Sequence, residues 1–409
     1  MNIHAQRWID RWVGIPLCAV VSLVDAVIQQ FKPPAGAAKA PRAIVIILLS
    51  EMGSLVLAHD MFSRLKTRYP DAQLHALLFG KNREILDLMQ VIDPAHVHTV
   101  DDKSLPGLLR SLWRAIGELR RAQVDVAIDC ELFSRISSLL SYASGASVRV
   151  GFHRHTQEGL YRGSHINRPV PYNPYSHISA QFLTLARAID STASPKSKLP
   201  VMVSSNPPPH VQLDPALVAG IKCRLAQDFP AIAGKPLVLV YPGGGILPIR
   251  AWPLASYTTL CEGLVADGCA LAVIGLEDDR ALAQQLVRKV KGNAPDSPVI
   301  DLTGYTRSIA ELLALFHIAR LLVTNDGGPG QFAALTPIWT LMLFGPETPS
   351  LYAPLTPKCQ SFYSHWPCSP CLSAYNHRSS YCDGDNQCLK VIAPATVLAQ
   401  ARECLASAE

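Results

Sequence analysis

The sequence predicts an α/β protein built from two doubly wound, Rossmann-like halves, and three observations carry that prediction. Short unbroken apolar runs alternate with longer amphipathic stretches, the pattern of buried parallel strands joined by crossover helices. The alternation occurs twice, on either side of a span from about 191 to 214 that holds five of the chain's 32 prolines, including Pro207-Pro208-Pro209. Glycine-rich turns follow two of the apolar runs, at Tyr241-Pro242-Gly243-Gly244-Gly245 and Asp326-Gly327-Gly328-Pro329, and open parallel sheets bind ligands at such strand ends.

Bulk properties narrow the class. A chain of 409 residues is long enough for two or three domains, each with its own core. Hydrophobic residues make up 49% and charged residues only 17%, against about 25% charged in an average soluble chain. That excess points to a membrane or a large partner surface. The net charge of +5 is too mild for a nucleic-acid-binding face. Seven of the eleven cysteines sit singly in apolar or helical segments and read as small buried hydrophobes in a reducing compartment.

The N-terminus reads as an interfacial helix. Trp8, Arg11 and Trp12 precede an apolar run, Val13 to Val24, that falls short of the roughly 20 residues of a bilayer span. Tryptophans at headgroup level would hold it on a membrane surface. Packing on the protein itself is the alternative, and a signal peptide lacks a clear small-x-small cleavage site. Asp10 and Asp25 flank the run, and Lys32 to Pro41 is a linker by composition. Expected boundaries are 1–36 for the helix and linker, 41–205 for the first Rossmann-like domain and 210–409 for the second.

In the first domain, strands are expected at 43–49, 74–79, 96–100, 124–128 and 148–151. Helices are expected at 57–69, 83–90 and 105–121, the last carrying Leu108, Leu109, Leu112, Ile116 and Leu119 on one face. A locally basic stretch follows, with Arg149, His153, Arg154, His155, Arg162, His165 and Arg168. It reads either as a solvated loop or as a seat for an anionic acceptor or phospholipid headgroup. In the second domain, strands are expected at 236–241, 270–274, 299–302, 321–325 and 339–344. Helices are expected at 214–228, 254–267, 278–290, 308–318 and 329–335.

Chemistry concentrates in the second half. Gly243, Gly244 and Gly245 end a strand, and Arg250-Ala251-Trp252-Pro253 opens the next helix. A glycine turn, a fixed cation and a helix start together suit a phosphate. Asp326, Gly327 and Gly328 form a second such turn, and Leu343-Phe344-Gly345-Pro346 ends another strand on the same edge. Cys368-x2-Cys371, Cys382 and Cys388 suit a tetrahedral thiolate site for a structural zinc or iron. Two disulfides, or four separate thiols, are the alternatives.

Arg250-x-Trp-Pro, Asp326-Gly-Gly-Pro and Phe344-Gly-Pro-x-x-Pro, in this order and spacing, resemble glycosyltransferase family 9, over about residues 42 to 392. The resemblance implies a GT-B fold, two Rossmann-like domains facing a cleft, with the nucleotide-sugar donor held by the C-terminal one. It implies inverting transfer without a catalytic metal, an ADP-sugar donor, and a lipopolysaccharide-core or other lipid-linked envelope acceptor at the inner face of the cytoplasmic membrane. By position, Arg250 would hold the donor phosphates and Glu277 the ribose or base. Asp326, Gly327 and Gly328 would hold the diphosphate and sugar. Gln331 stands where the family carries His.

The resemblance also exposes a departure. The family's general-base Asp falls on Ser54, within Ser50-Glu51-Met52-Gly53-Ser54, and serine is no base near neutral pH. Glu51 in the same turn is the leading candidate base. Asp129, Glu131 and His153 are the others. Two further readings stay open: a family member without its base that binds sugar nucleotides as an envelope scaffold, and a sugar-nucleotide epimerase of the same fold.

Overall fold

A computed structural model describes residues 3–31, 40–49, 51–132, 134–153, 161–191, 207–292, 296–375 and 379–407. The chain forms two compact units, Met1–Ser204 and Ser205–Glu409. Each is built on a six-stranded, all-parallel sheet. The expected linkers at 32–41 and 191–214 lie largely outside the described residues.

The N-terminal unit begins with α1 (Ile3–Trp12) and α2 (Gly14–Phe31). It continues β1 (Ala43–Ile47), α3 (Met52–Leu57), α4 (His59–Arg68), β2 (Gln73–Phe79), α5 (Arg83–Met89) and β3 (Val97–Val100). After these come α6 (Leu105–Arg121), β4 (Val126–Asp129), α7 (Arg135–Ala143), β5 (Val148–His153), β6 (Arg168–Pro171) and α8 (Ile178–Ala188). The sheet order is β3-β2-β1-β4-β5-β6. Strand β1 is buried at every residue because helices cover both faces of a parallel sheet.

The C-terminal unit runs α9 (Pro215–Asp228), β7 (Leu237–Tyr241), α10 (Leu254–Ala266), β8 (Ala270–Gly275), α11 (Arg280–Lys291) and β9 (Val299–Thr303). Then follow α12 (Ile309–Ile318), β10 (Leu321–Asn325), α13 (Gly328–Ala333), β11 (Trp339–Phe344), α14 (Pro349–Tyr352), β12 (Cys359–Tyr363), α15 (Gln387–Lys390) and α16 (Pro394–Ala406). The order β12-β11-β10-β7-β8-β9 reverses direction between β7 and β10. Ten strands lie where the apolar runs put them. The two unexpected ones, β6 and β12, are edge strands. β6 holds Pro169 and Pro171, which only an edge tolerates.

The N-terminal helices correct the expected length of the apolar run. The apolar helical stretch is Trp8–Phe31, 24 residues, long and apolar enough by length and composition to cross a membrane. Its polar residues face inward and its large apolar ones outward. Gly14, Cys18, Ser22 and Asp25 are buried, while Trp8, Trp12, Leu17, Val20, Leu23 and Phe31 are exposed. Asp10 accepts from the backbone N–H of Arg135 at 2.8 Å and from its Nη1 at 2.9 Å. Asp25 accepts from Arg149 Nη2 at 2.8 Å. Ser22 Oγ accepts from the Ser164 N–H at 2.9 Å and lies 3.3 Å from His165 Nδ1.

The basic stretch is corrected by the same contacts. Arg149, Arg162 and His165 are buried structural groups rather than a charged surface. Arg149 also donates to the carbonyls of His165 and Ala146 at 2.6 and 2.9 Å. Burial pushes the His165 imidazole down to about 4, which keeps it neutral at pH 7. Arg154 and His155 lie outside the described residues.

Candidate active site

In the C-terminal unit the two glycine turns meet. Strands β7 and β10 are parallel neighbours with Thr324 opposite Tyr241, so their C-terminal ends are level. This is the point where strand order reverses, the usual ligand position on an open parallel sheet. Asn325, fully buried, joins the turns. Its Nδ2 donates to the carbonyls of Pro242 and Gly243 at 3.1 and 2.9 Å. Its Oδ1 accepts from the Trp252 N–H at 2.9 Å. One side chain therefore fixes the Gly243 loop, the Arg250-x-Trp turn and the start of the Asp326 turn. Gly244 has no room for a side chain, because a Cβ there would lie 2.7 Å from the Leu247 carbonyl. Gly245 has φ +59°, which favours glycine.

Arg250 is not a bare surface cation. Its Nη2 lies 2.8 Å from Glu347 Oε1 and its Nε 3.5 Å from Asp326 Oδ2. The two carboxylates are 3% and 7% exposed and the arginine side chain 14%. The guanidinium is thus held in one orientation by two acids from neighbouring strand ends. A diphosphate arriving there would share the cation with Asp326 and Glu347.

Gly327 is the residue before α13, and Pro329 falls in its first turn. The Asp326 N–H is already used by the Leu343 carbonyl, at 2.9 Å. Gln331 is buried and donates from Nε2 to the Tyr352 carbonyl at 2.6 Å, tying α13 to α14. Glu277 sits at the end of β8, mostly exposed and paired with Arg280 at 2.8 Å. Asp279, two residues on, lies against the glycine loop. Its Oδ1 lies 2.7 Å from the point a Gly243 Cβ would occupy, and its Oδ2 accepts from the Leu276 N–H at 2.9 Å. Burial, with the Asp279 charge, pushes the Tyr241 phenol up to about 12.

Sequence reasoning missed Asn325, Asp279 and Glu347. Each left a trace: a polar residue ending an apolar strand, an acid in Glu277-Asp278-Asp279, and an acid inside Phe344-Gly-Pro-x-x-Pro.

In the N-terminal unit, Glu51 precedes α3 and accepts from Ser54 Oγ at 2.8 Å. The serine at the family's Asp position is thus bonded to the candidate base. Glu131 follows β4, and its Oε1 accepts from the Leu49 N–H at 2.6 Å. Asp129 is corrected as a candidate. It is wholly buried and takes Arg162, itself buried, as an ion-pair partner. Burial pushes its carboxyl up to about 6 while Arg162 opposes the shift. His153 ends β5.

The cysteine group is also corrected. Among the described residues no three His, Cys, Asp or Glu side chains are placed to hold a metal ion, and all eleven cysteines are free thiols. The physical reason lies in competing partners. Cys371 Sγ accepts from Ser380 Oγ at 3.2 Å, and Cys382 Sγ lies 3.5 Å from Asn386 Oδ1. Cys388 is buried beneath Gly345. The four share one electrostatic neighbourhood, since burial and then the other three thiols push Cys388 up to about 11. As arranged, they do not fit a closed tetrahedral site.

The sequence pattern of glycosyltransferase family 9 (heptosyltransferase) matches residues 110–381, more than half of the chain. The chain belongs to glycosyltransferase family 9. It is similar to lipooligosaccharide heptosyltransferase 2 of Haemophilus ducreyi, at 27% identity over 317 residues, 76% of this chain and 86% of that one. Its fold matches E. coli ADP-heptose LPS heptosyltransferase II with a TM-score of 0.68 at 19% identity, over 89% of this chain and 99% of the other. A family 9 glycosyl transferase from Veillonella parvula gives 0.67 at 16% identity, over 90% and 97%. In this family 9 glycosyltransferase, α1 to α5 and β1 to β3 all precede the matched residues 110–381.

Proposed function

We propose that this family 9 enzyme transfers a heptose or related sugar from ADP-heptose to a lipopolysaccharide-core or similar lipid-bearing acceptor, with inversion and without a catalytic metal. The observation that carries this reading is the junction held by Asn325. It puts two glycine turns and the clamped Arg250 at one sheet-end position. The relatives' names supply the sugar: the E. coli protein is an ADP-heptose LPS heptosyltransferase and the H. ducreyi protein a lipooligosaccharide heptosyltransferase.

In the proposed reaction an acceptor hydroxyl attacks the anomeric carbon from the face opposite the diphosphate. The new glycosidic C–O bond forms as the anomeric C–O bond to the diphosphate breaks. The diphosphate takes the electron pair and is stabilised by Arg250 and by N–H groups of the Gly243, Gly244, Gly327 and Gly328 turns. Asp326 and Glu347 orient the guanidinium and are placed to accept from sugar hydroxyls. Glu277, or Asp279 beside it, serves the ribose. Gln331 sets the α13–α14 spacing around the sugar. Glu51 takes the acceptor's proton, with Ser54 orienting the carboxylate.

We further propose that α1 and α2 seat the enzyme on the inner face of the cytoplasmic membrane. Asp10 and Asp25 bind the helices to the N-terminal unit, and crossing a bilayer would strip Arg135 and Arg149 each of its carboxylate at a cost of about 3 kcal/mol or more each. A transfer assay tests the catalytic assignment. Glu51→Gln should lower kcat by about 10²-fold or more while ADP affinity holds. Full activity in that variant removes Glu51 from the role. Inactivity of the parent with every sugar nucleotide that it binds would instead favour the scaffold reading that Ser54 suggests.

A further inference from the structure

The outward apolar face of α1–α2 does not stand alone. On α6, Leu105, Leu109 and Trp113 are exposed, Trp113 at 82%. Their spacing of four residues puts them on one stripe. Arg110, Arg114, Arg120 and Arg121 are exposed on the same helix, flanking the stripe. The opposite face, through Ala115 and Leu119, is buried in the core. This is the make-up of a basic interfacial helix rather than of an ordinary solvated one.

Topology puts α6 in the same helical layer as α7, the helix on which α1 and α2 pack. The crossovers β3–α6–β4 and β4–α7–β5 run in the same direction along the sheet, so right-handed connections place α6 and α7 on one face. Their shared core confirms it, with Ala115 and Leu119 of α6 packed in one cluster with Leu140 of α7. Arg120 Nε also donates to the Ala143 carbonyl at 2.8 Å. Helix α2 packs against α7, with Cys18 buried and Gly14 against Arg135, and reaches β5 through the Asp25–Arg149 pair. Both apolar surfaces therefore belong to helices that meet α7. Against the arginine side of α6 opens a cavity of about 630 Å³ lined by Arg83, His96, His98, Arg114 and Arg121. The carboxylate in its lining, Glu118, lies 2.8 Å from His98 Nδ1 and 3.9 Å from Arg114 Nε, whose side chain stays 61% exposed.

We propose that the exposed arc of α6 is a second membrane contact, which inserts Leu105, Leu109 and Trp113 and pairs its arginines with anionic headgroups. It rests on the reading that α1–α2 lies on a membrane, and it makes the contact a two-point one that fixes how the N-terminal unit faces the bilayer. Charge selects the occupant. A second copy meeting this face by two-fold symmetry would set arginines against arginines, whereas an anionic leaflet attracts each of them.

The test uses the full chain and sedimentation with vesicles of phosphatidylethanolamine and phosphatidylglycerol, beside vesicles of phosphatidylcholine alone. The parent should prefer the anionic vesicles. Arg110→Glu with Arg114→Glu should weaken that binding by about 30-fold, from about fivefold per basic residue brought near the surface. Trp fluorescence quenched by brominated phosphatidylglycerol should lose a component in Trp113→Phe, a change too small to unfold the chain. A companion variant, Leu17→Gln with Leu23→Gln, probes α2 alone. Loss with the α2 variant and none with the α6 variants overturns the proposal and keeps the α1–α2 reading. Loss with each set of variants upholds it, whereas loss with the α6 variants alone removes the α1–α2 reading and the two-point contact with it. An unchanged quenching pattern in Trp113→Phe overturns it, as does a Trp113→Ser variant that turns a dimer into a monomer while vesicle binding stays the same.

Discussion

Replacing Asn325 by Asp keeps the side chain's shape and reverses half of its hydrogen bonding. The Trp252 N–H can only donate, so Oδ1 faces it and Nδ2 faces the carbonyls of Pro242 and Gly243. In Asn325→Asp the first bond survives. The two carbonyls meet a carboxylate oxygen in a fully buried site. Leaving each without its donor costs about 1–3 kcal/mol, so the C-terminal unit should lose about 2–6 kcal/mol. For a unit of this size that is a fall in Tm of about 4–24 °C. Calorimetric unfolding should show it in one of two transitions, since the chain forms two units. ADP affinity should fall with it, because the glycine loop and Arg250 lose their common tie. Partial recovery near pH 5 is expected, since a protonated carboxyl donates again. A variant that melts within about 2 °C of the parent and binds ADP equally would refute the view that Asn325 assembles the site.

The N-terminal unit should lose stability on acidification. Burial holds His165 and His75 down to about 4, so between the usual imidazole value and 4 the unfolded chain binds more protons than the folded one. The stabilisation is complete above about pH 6.5 and is lost as pH falls toward 4, on the order of 3 kcal/mol for each as an upper bound. Asp129, pushed up to about 6, works in the opposite direction, so the informative quantity is the difference that His165→Gln makes to melts at pH 7 and pH 5. That variant should lose less on acidification; an identical loss argues against a neutral buried His165. Asp25→Ala should cost about 3 kcal/mol or more by leaving Arg149 buried without its carboxylate. Asp25→Leu with Arg149→Met should recover much of it, and equal melts of Asp25→Ala and parent would mean that α2 is not docked there.

Much of the fold was legible because parallel strands buried on both faces are unbroken apolar runs, as in Ile44-Val45-Ile46-Ile47 and Leu321-Leu322-Val323. The edge strands β6 and β12 were not, since an edge need not be uniformly apolar and β6 carries prolines. At the site, the glycine turns and Arg250 were visible from backbone demands that are local in sequence. Their partners were not. Glu347 is far along the chain from Arg250, and Asn325 acts through carbonyls more than eighty residues away, so no local pattern names them. The buried Arg149, Arg162 and His165 read as surface charge for the same reason: their partners, Asp25, Asp129 and Ser138, belong to other elements.

Calorimetric titration of the full chain with ADP, UDP and GDP, repeated on Arg250→Ala, tests the central assignment most directly. The account predicts saturable ADP binding that exceeds UDP and GDP. It predicts a loss of about 10- to 150-fold in Arg250→Ala, as one charge-assisted bond to phosphate is worth about 1.5–3 kcal/mol. ADP binding unchanged by Arg250→Ala, or UDP or GDP bound in preference to ADP, would contradict it.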